Sequence, residues 1–244
     1  IENVSYDSRN TKPGDLFVAM IGFATDGHAY IEKAVAAGAV AVLCQNLPQA
    51  EVPYVQVADS RRALSVVGAN FFGHPAESMT MVAVTGTNGK TSSTYLLKFV
   101  LEQVAGAKVG LIGTNQNMIG EEVIPTERTT PESFEIHKLF RQMVDSGCEY
   151  CVMEVSSQAL AQKRVHGLRF EISALTNITV DHLDYHGTME NYINSKLQLF
   201  KNSKKAIVNI DDYNIKMLRN RIECPVVTCS TIENSADYTA KNII

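Results

Sequence analysis

Apolar residues recur along the chain in two alternating rhythms. Short runs of four to six residues fall at 16–20, 39–44, 52–57, 79–84, 109–112, 150–155, 172–175, 206–210 and 226–229. Runs of that length, bounded by Gly, Pro, Asn or Asp, predict strands. Between them apolar residues return at intervals of three and four, which predicts helices. Helices are expected over 30–38 and 61–72, and after Thr91 with apolar positions Tyr95, Leu96, Phe99, Val100 and Val104. A further helix carries the stripe Ile136, Leu139, Phe140, Met143 and Val144, with Thr130 as its cap, Pro131 at its first position and Gly147 at its end. Another is expected over 188–200. Strands alternating with helices imply an α/β fold with a mostly parallel sheet. Gly73-His74-Pro75 breaks the second helix, so a small α/β unit is expected over 1–78 and a larger one over 79–244.

The most informative stretch joins the run 79–84 to the helix that follows: Val84-Thr85-Gly86-Thr87-Asn88-Gly89-Lys90-Thr91. A strand, a glycine turn, Gly-Lys-Thr and a helix form a cradle for phosphate. Glycines let backbone N–H groups turn toward an anion, and the helix N-terminus adds a favourable dipole. Lys90 is positioned by this pattern for the β/γ-phosphates and the Thr91 hydroxyl for Mg²⁺. The spacing departs from the general phosphate-loop pattern, because Gly86 precedes Gly89 by only two residues and Val84 holds the usual first glycine position.

In parallel sheets, ligands gather beyond the carboxyl ends of the strands. Three more polar clusters fall there: 154–157, 177–186 and 209–212. Glu154 interrupts the apolar run Cys-Val-Met-Glu-Val, where a carboxylate needs an ion-pair partner or a metal. Asp181-His182-Leu183-Asp184-Tyr185-His186 is open to a metal, a phosphate or a structural role. Lys196 lies four residues after Tyr192 and four before Phe200, so it shares the buried stripe of its helix. It either snorkels to solvent or is desolvated, which lowers a lysine's pKa and makes the amine nucleophilic. Asp7-Ser8-Arg9 and Asp26-Gly27-His28 flank strands of the first unit. Turn chemistry accounts for both, and contact with a ligand's phosphate or hydroxyls is the alternative.

Composition narrows the classes. A formal net charge of −4 with no basic block argues against nucleic acid as the main partner. No apolar run approaches the ~18 residues of a membrane span, and no signal peptide is visible. The five cysteines lack framework spacing, which suits a reducing cytoplasm. Cys148 and Cys151 form a lone CxxC without two further ligands for zinc, so a structural role is expected.

Taken together, these segments resemble the Mur ligases, the ATP-dependent amide-forming ligases of peptidoglycan synthesis. The stretch 85–91 matches their phosphate loop, including the shortened glycine spacing. Arg128-Thr129-Thr130-Pro131-Glu132, Met153-Glu154-Val155-Ser156-Ser157 and Asp181-His182-Leu183-Asp184-Tyr185-His186-Gly187 resemble the member that adds the third peptide residue. The segments at 7–9, 13–19 and 26–28 fit as well, although the next ligase of the pathway is similar there.

The resemblance implies a UDP-binding first domain and an ATPase second domain. Thr85, Gly86, Thr87, Asn88, Gly89, Lys90, Thr91 and Asn177 are expected to bind ATP. Thr91, Glu154, His182 and a carbamylated Lys196 are expected to hold two Mg²⁺ ions, with Lys90, His182 and Lys196 serving catalysis. Ser8, Thr129, Thr130, Ser156, Gln162 and Arg164 are expected to hold UDP-MurNAc-L-Ala-D-Glu. Two positions depart from the family pattern: Gln158 stands where His is usual after the Ser-Ser pair, and Arg128 where Asn is usual before Thr-Thr. The expected reaction joins diaminopimelate or lysine to the dipeptide through an acyl phosphate, in a monomer. The family's third domain, which carries the amino-acid site, is not reached by this sequence. The 244 residues are therefore expected to be inactive in ligation alone, and the start at Ile1 suggests that residues precede it. A folate-extending ligase and a non-catalytic nucleotide-binding relative are the competing readings. The intact Lys90, Thr91, Glu154, His182 and Lys196 speak against the second.

Overall fold

The computed structural model describes residues 1–22 and 25–241. Two compact units divide at Gly68 and Ala69, inside a helix.

The first unit is a four-stranded, all-parallel sheet in the order β1 (Asn3–Ser5), β2 (Asp15–Val18), β3 (Ala41–Cys44) and β4 (Tyr54–Gln56). Helix α1 (Ile31–Ala36) connects β2 to β3, and α2 (Ser60–Phe71) follows β4. Phe17, Ala19, Ile31, Ala34, Val42 and Cys44 form its core. Both polar turns singled out in the sequence are satisfied locally. Arg9 grips the Asp7 carboxylate through Nε at 2.9 Å and Nη2 at 2.5 Å. His28 Nε2 accepts the N–H of Gln45 at 2.9 Å, so its proton sits on Nδ1, 2.6 Å from Asp26.

Among the described residues, the second unit is built on nine strands in the order β13-β12-β11-β10-β5-β9-β6-β7-β8. They are β5 (Thr80–Thr85), β6 (Val109–Ile112), β7 (Asn117–Ile119), β8 (Glu122–Ile124), β9 (Tyr150–Glu154), β10 (Phe170–Leu175), β11 (Ser203–Asn209), β12 (Val226–Ser230) and β13 (Tyr238–Thr239). All pairs are parallel except the β6–β7–β8 meander at one edge. The central strands match the apolar runs to within a residue or two. The β7–β8 meander is not legible as a run, because each of its strands has only three residues. Residues 236–244 read in the sequence as the start of a strand; β13 covers Tyr238–Thr239 of them, and residues 242–244 lie outside the described residues.

The helices are α3 (Lys90–Ala105), α4 (Ser133–Asp145), α5 (Ser157–Ala161), α6 (Leu183–His186), α7 (Met189–Leu197) and α8 (Tyr213–Leu218). One large core joins Ile136, Phe140 and Met143 of α4 and Tyr192 of α7 to Cys151 and Met153 of β9 and Ala206 and Val208 of β11. Parallel strands buried on their faces read as continuous apolar runs, which is why they stood out.

Two helices depart from the simplest pattern. The apolar residues of α3 do not face the sheet: Leu96, Phe99, Val100 and Val104 are exposed, while Thr94 and Lys98 are buried and Leu101 packs on Val109 and Val152. The inward face of this helix carries small or mixed residues, so apolar periodicity marks the helix but not the side that meets the sheet. Thr130 does not cap α4. The N-cap is Glu132, whose backbone N–H donates to the Glu135 carboxylate at 3.1 Å, a capping-box arrangement. The Thr130 hydroxyl is engaged instead by the backbone carbonyl of Glu154 at 2.9 Å.

Phe140 is fully buried at the centre of the large core. Phe140→Ala is expected to lower the unfolding free energy by about 3–5 kcal/mol, read as a shift in urea midpoint with unchanged slope.

Candidate functional site

Register brings the chemistry together. Val84 of β5 is paired with Glu154 of β9 and with Ala174 of β10, and Thr85 with Leu175. Ile112 of β6 is paired with Met153. The carboxyl ends of four strands therefore stand side by side, and a cleft of about 670 Å³ opens above them. Its walls carry the loop residues Thr87 to Ser92, the segment Glu127 to Thr130, and Thr114, Glu154, Ser156, Gln158, Arg164 and His182.

The loop's shape depends on two glycines. Gly86 has φ +146°, and a Cβ there would lie 1.9 Å from Thr176 Oγ1. Gly89 has φ +83° and caps the N-terminus of α3. Both backbone conformations belong to glycine. Asn177 clamps the loop between them: its Oδ1 accepts the N–H of Asn88 at 2.9 Å, and its Nδ2 donates to the Asn88 carbonyl at 3.0 Å. Asn177 thus holds the loop's backbone, while Thr85 and Gly86 sit beneath the cleft and do not line it.

Two lysines converge on one carbonyl oxygen. Lys90 Nζ donates to Gly86 O and to Thr87 O, each at 2.9 Å. Lys196 Nζ donates to the same Gly86 O at 2.8 Å and lies 4.6 Å above the ring of Tyr192. Lys196 is 2% exposed, so it does not snorkel. Burial, reinforced by the charge of Lys90, pulls its pKa down to about 7. Burial lowers that of Lys90 as well. Tyr192 joins this group to the loop through its hydroxyl, 2.9 Å from Thr87 Oγ1.

Glu154 is fully buried. Its Oε2 accepts the hydroxyls of Thr91 and Thr114, each at 3.0 Å, and its Oε1 accepts the N–H of Thr114 at 2.9 Å. No ion pair to it occurs among the described residues. A buried carboxylate supported only by hydroxyls and one N–H suits a hard cation. No group of three or more His, Cys, Asp or Glu able to hold a metal occurs among the described residues. His182 lines the same cleft in a left-handed conformation, φ 50°, with Nε2 3.4 Å from Asp181.

The opposite wall is held by Arg164. Its Nη1 donates to Thr130 O and its Nη2 to Gln162 Oε1, both at 2.8 Å, and its Nε lies 3.0 Å from Glu132. Gln162 in turn donates to the Tyr185 hydroxyl at 3.1 Å. Arg128 reaches the same Glu132 oxygen at 3.1 Å. Thr129, Thr130, Ser156 and Arg164 line the cleft; Gln162 and Lys196 do not. Ser8 is buried in the first unit. Sequence reasoning misses Thr114 and Tyr192. The signal for the first is its place just past the end of β6, on the same sheet edge. The signal for the second is its spacing of one helical turn from Lys196.

A phosphate loop at the carboxyl edge of a mostly parallel sheet defines a phosphate-loop α/β domain. Residues 84–244 match the Mur ligase middle domain, and residues 1–72 match the catalytic domain of the Mur ligase family. The chain belongs to the Mur ligase family. It is 48% identical to the UDP-N-acetylmuramoyl-L-alanyl-D-glutamate–2,6-diaminopimelate ligase of Clostridium tetani, over 100% of this chain and 51% of that protein. The ligase of the same name from Bacteroides fragilis is 47% identical over 99% of this chain and 50% of its own length. A solved structure of a ligase of that name superposes with a TM-score of 0.83 at 27% identity, covering 98% of this chain and 50% of that one. The fold is shared with the MurF ligase of Thermotoga maritima, solved in complex with ADP, at a TM-score of 0.63 and 22% identity, over 95% of this chain and 51% of that one. The chain spans about half the length of the curated relatives it matches. No helix among the described residues is long and apolar enough to cross a membrane.

The depressed pKa of Lys196 makes a stability prediction. Unfolded, the lysine binds its proton up to its ordinary pKa of 10.5; folded, it loses it near pH 7. Between those values the unfolded chain holds more protons, so stability rises with pH. Lys196→Met removes this dependence. The wild type is expected to be the less stable of the two near pH 7, by roughly 2–4 kcal/mol, and to close the gap toward pH 10, in paired urea titrations.

Proposed function

We propose that this chain forms the UDP-sugar-binding and ATP-hydrolysing parts of a ligase that adds 2,6-diaminopimelate to UDP-MurNAc-L-Ala-D-Glu. The observation that carries this reading is the meeting of Lys90, Thr91, Glu154 and Lys196 around the end of β5, with Thr91 Oγ1 3.0 Å from Glu154 and both lysines on Gly86 O. The names of relatives at 48% and 47% identity support the choice of substrate and of diaminopimelate over lysine.

In the proposed reaction, an oxygen of the D-glutamate γ-carboxylate attacks the γ-phosphorus of ATP, and the bond to ADP breaks. The amine of the incoming amino acid then attacks the acyl carbon, phosphate leaves, and the nitrogen loses a proton. Lys90 is suited to meet charge on the transferring phosphoryl group, and the N-terminus of α3 adds its dipole. Thr91, Glu154, His182 and a carbamylated Lys196 would hold Mg²⁺, which when bound supplies further charge neutralisation. Only a neutral amine takes up carbon dioxide, and a lysine poised near pH 7 offers one. Arg164, with Thr129, Thr130, Ser156 and Gln162, would face the peptide substrate, and Ser8 the UDP end. The two compact units support a division into these two roles. Five cysteines, all free thiols, accord with work in the cytoplasm.

Expressed at the length of its relatives, the protein is expected to release phosphate from ATP only when the UDP-dipeptide is present. Lys90→Ala is expected to reduce that release at least about a hundredfold. Unchanged turnover in the variant would overturn the assignment. The 244-residue chain alone is expected to form no tripeptide by mass spectrometry.

A further inference from the structure

Thr114 stands where three parts of the cleft meet, and no role has been given to it. It follows Gly113, just past the end of β6. Its N–H donates to Glu154 Oε1 at 2.9 Å. Its hydroxyl lies 3.0 Å from Glu154 Oε2 and 3.0 Å from the Thr129 hydroxyl. A carboxylate accepts and a hydroxyl has one proton to give. Thr114 can direct that proton to Glu154 Oε2 or to the Thr129 hydroxyl, and the charged carboxylate is the stronger acceptor. On the other side, Thr91 donates to the same Glu154 Oε2 at 3.0 Å. The result is one connected run of groups: Thr129, Thr114, Glu154, Thr91. Its ends are the wall opposite the phosphate loop and the loop itself.

The backbone makes room for this carboxylate at Gly113. A Cβ at residue 113 would lie 2.5 Å from Glu154 Oε1, so Gly113 admits the carboxylate and Thr114 then holds both of its oxygens. A fully buried carboxylate held by three donors offers a cation a fixed partner. Groups that orient a ligand in this way typically govern affinity for the metal as strongly as tenfold or more.

We propose that Thr114 is a positioning residue: it fixes the Glu154 carboxylate for the metal-bound nucleotide and links the Thr129 wall to the phosphate loop. The inference rests on the nucleotide-binding reading of this cleft. Its readout is the gain in ADP affinity that Mg²⁺ brings, measured by calorimetry with Mg²⁺ and with EDTA. In Thr114→Val the hydroxyl is lost and the shape kept. The Mg²⁺-dependent gain is expected to fall about tenfold, with affinity in EDTA unchanged. Thr114→Ser, which keeps the hydroxyl, is expected to recover the gain to within about threefold. Should the valine variant fail to fold, Thr114→Ala takes its place. Equal Mg²⁺-dependent gains in wild type and the valine variant would overturn the inference while leaving the nucleotide reading intact. An equal loss with Mg²⁺ and with EDTA would mark a merely structural residue and overturn it too. A wild-type chain that binds no ADP in either condition would overturn the nucleotide reading, and this inference with it.

Discussion

The carbonyl oxygen of Gly86 is the point on which the site depends. Two lysines from distant parts of the chain, Lys90 at the start of α3 and Lys196 near the end of α7, donate to it at 2.9 and 2.8 Å. Two like charges brought to one oxygen in a buried place disfavour each other. The more buried of the pair gives way: Lys196 is held near neutrality, and Lys90 faces the cleft. The glycine is needed because the backbone must turn there with no side chain against Thr176. One backbone constraint thus sets the loop's curvature and gives Lys90 and Lys196 a shared acceptor.

The sheet supplies what that point requires. Register across β6, β9, β5 and β10 aligns four strand ends, so a carboxylate, two threonines and an asparagine come within hydrogen-bond reach without long loops. Glu154, Asn177 and Tyr192 are each partnered, while the buried Thr85 hydroxyl has no hydrogen-bond partner among the described residues. Asn177 takes both backbone groups of Asn88, Glu154 takes two hydroxyls and an N–H, and Tyr192 takes Thr87. Well-satisfied polar networks are stiff, and stiffness keeps side chains in place.

Much of this was legible beforehand, for physical reasons. The parallel strands announced themselves because both faces are buried. The phosphate loop announced itself because only glycines permit its turns. Lys196 was legible as a member of a buried stripe, since helical spacing is fixed. Other features were not. The side that α3 presents to the sheet could not be read, because Thr94 and Lys98 are buried there and larger apolar residues are left outside. The cap of α4 was misassigned to Thr130, because a threonine before a proline fits a cap equally well and only the fold shows its hydroxyl bound to β9. Thr114 carries no motif; its importance arises from strand order, which places β6 beside β9.

The central proposal is that Lys196 is a buried amine of lowered pKa, able to take up carbon dioxide. Intact mass of the native protein, measured with and without bicarbonate at mildly basic pH and with Mg²⁺ and a nucleotide analogue, tests it most directly. A labile gain of one carbon dioxide, absent in Lys196→Ala, is the predicted result. No gain in any of these conditions, or the same gain in Lys196→Ala, would contradict it.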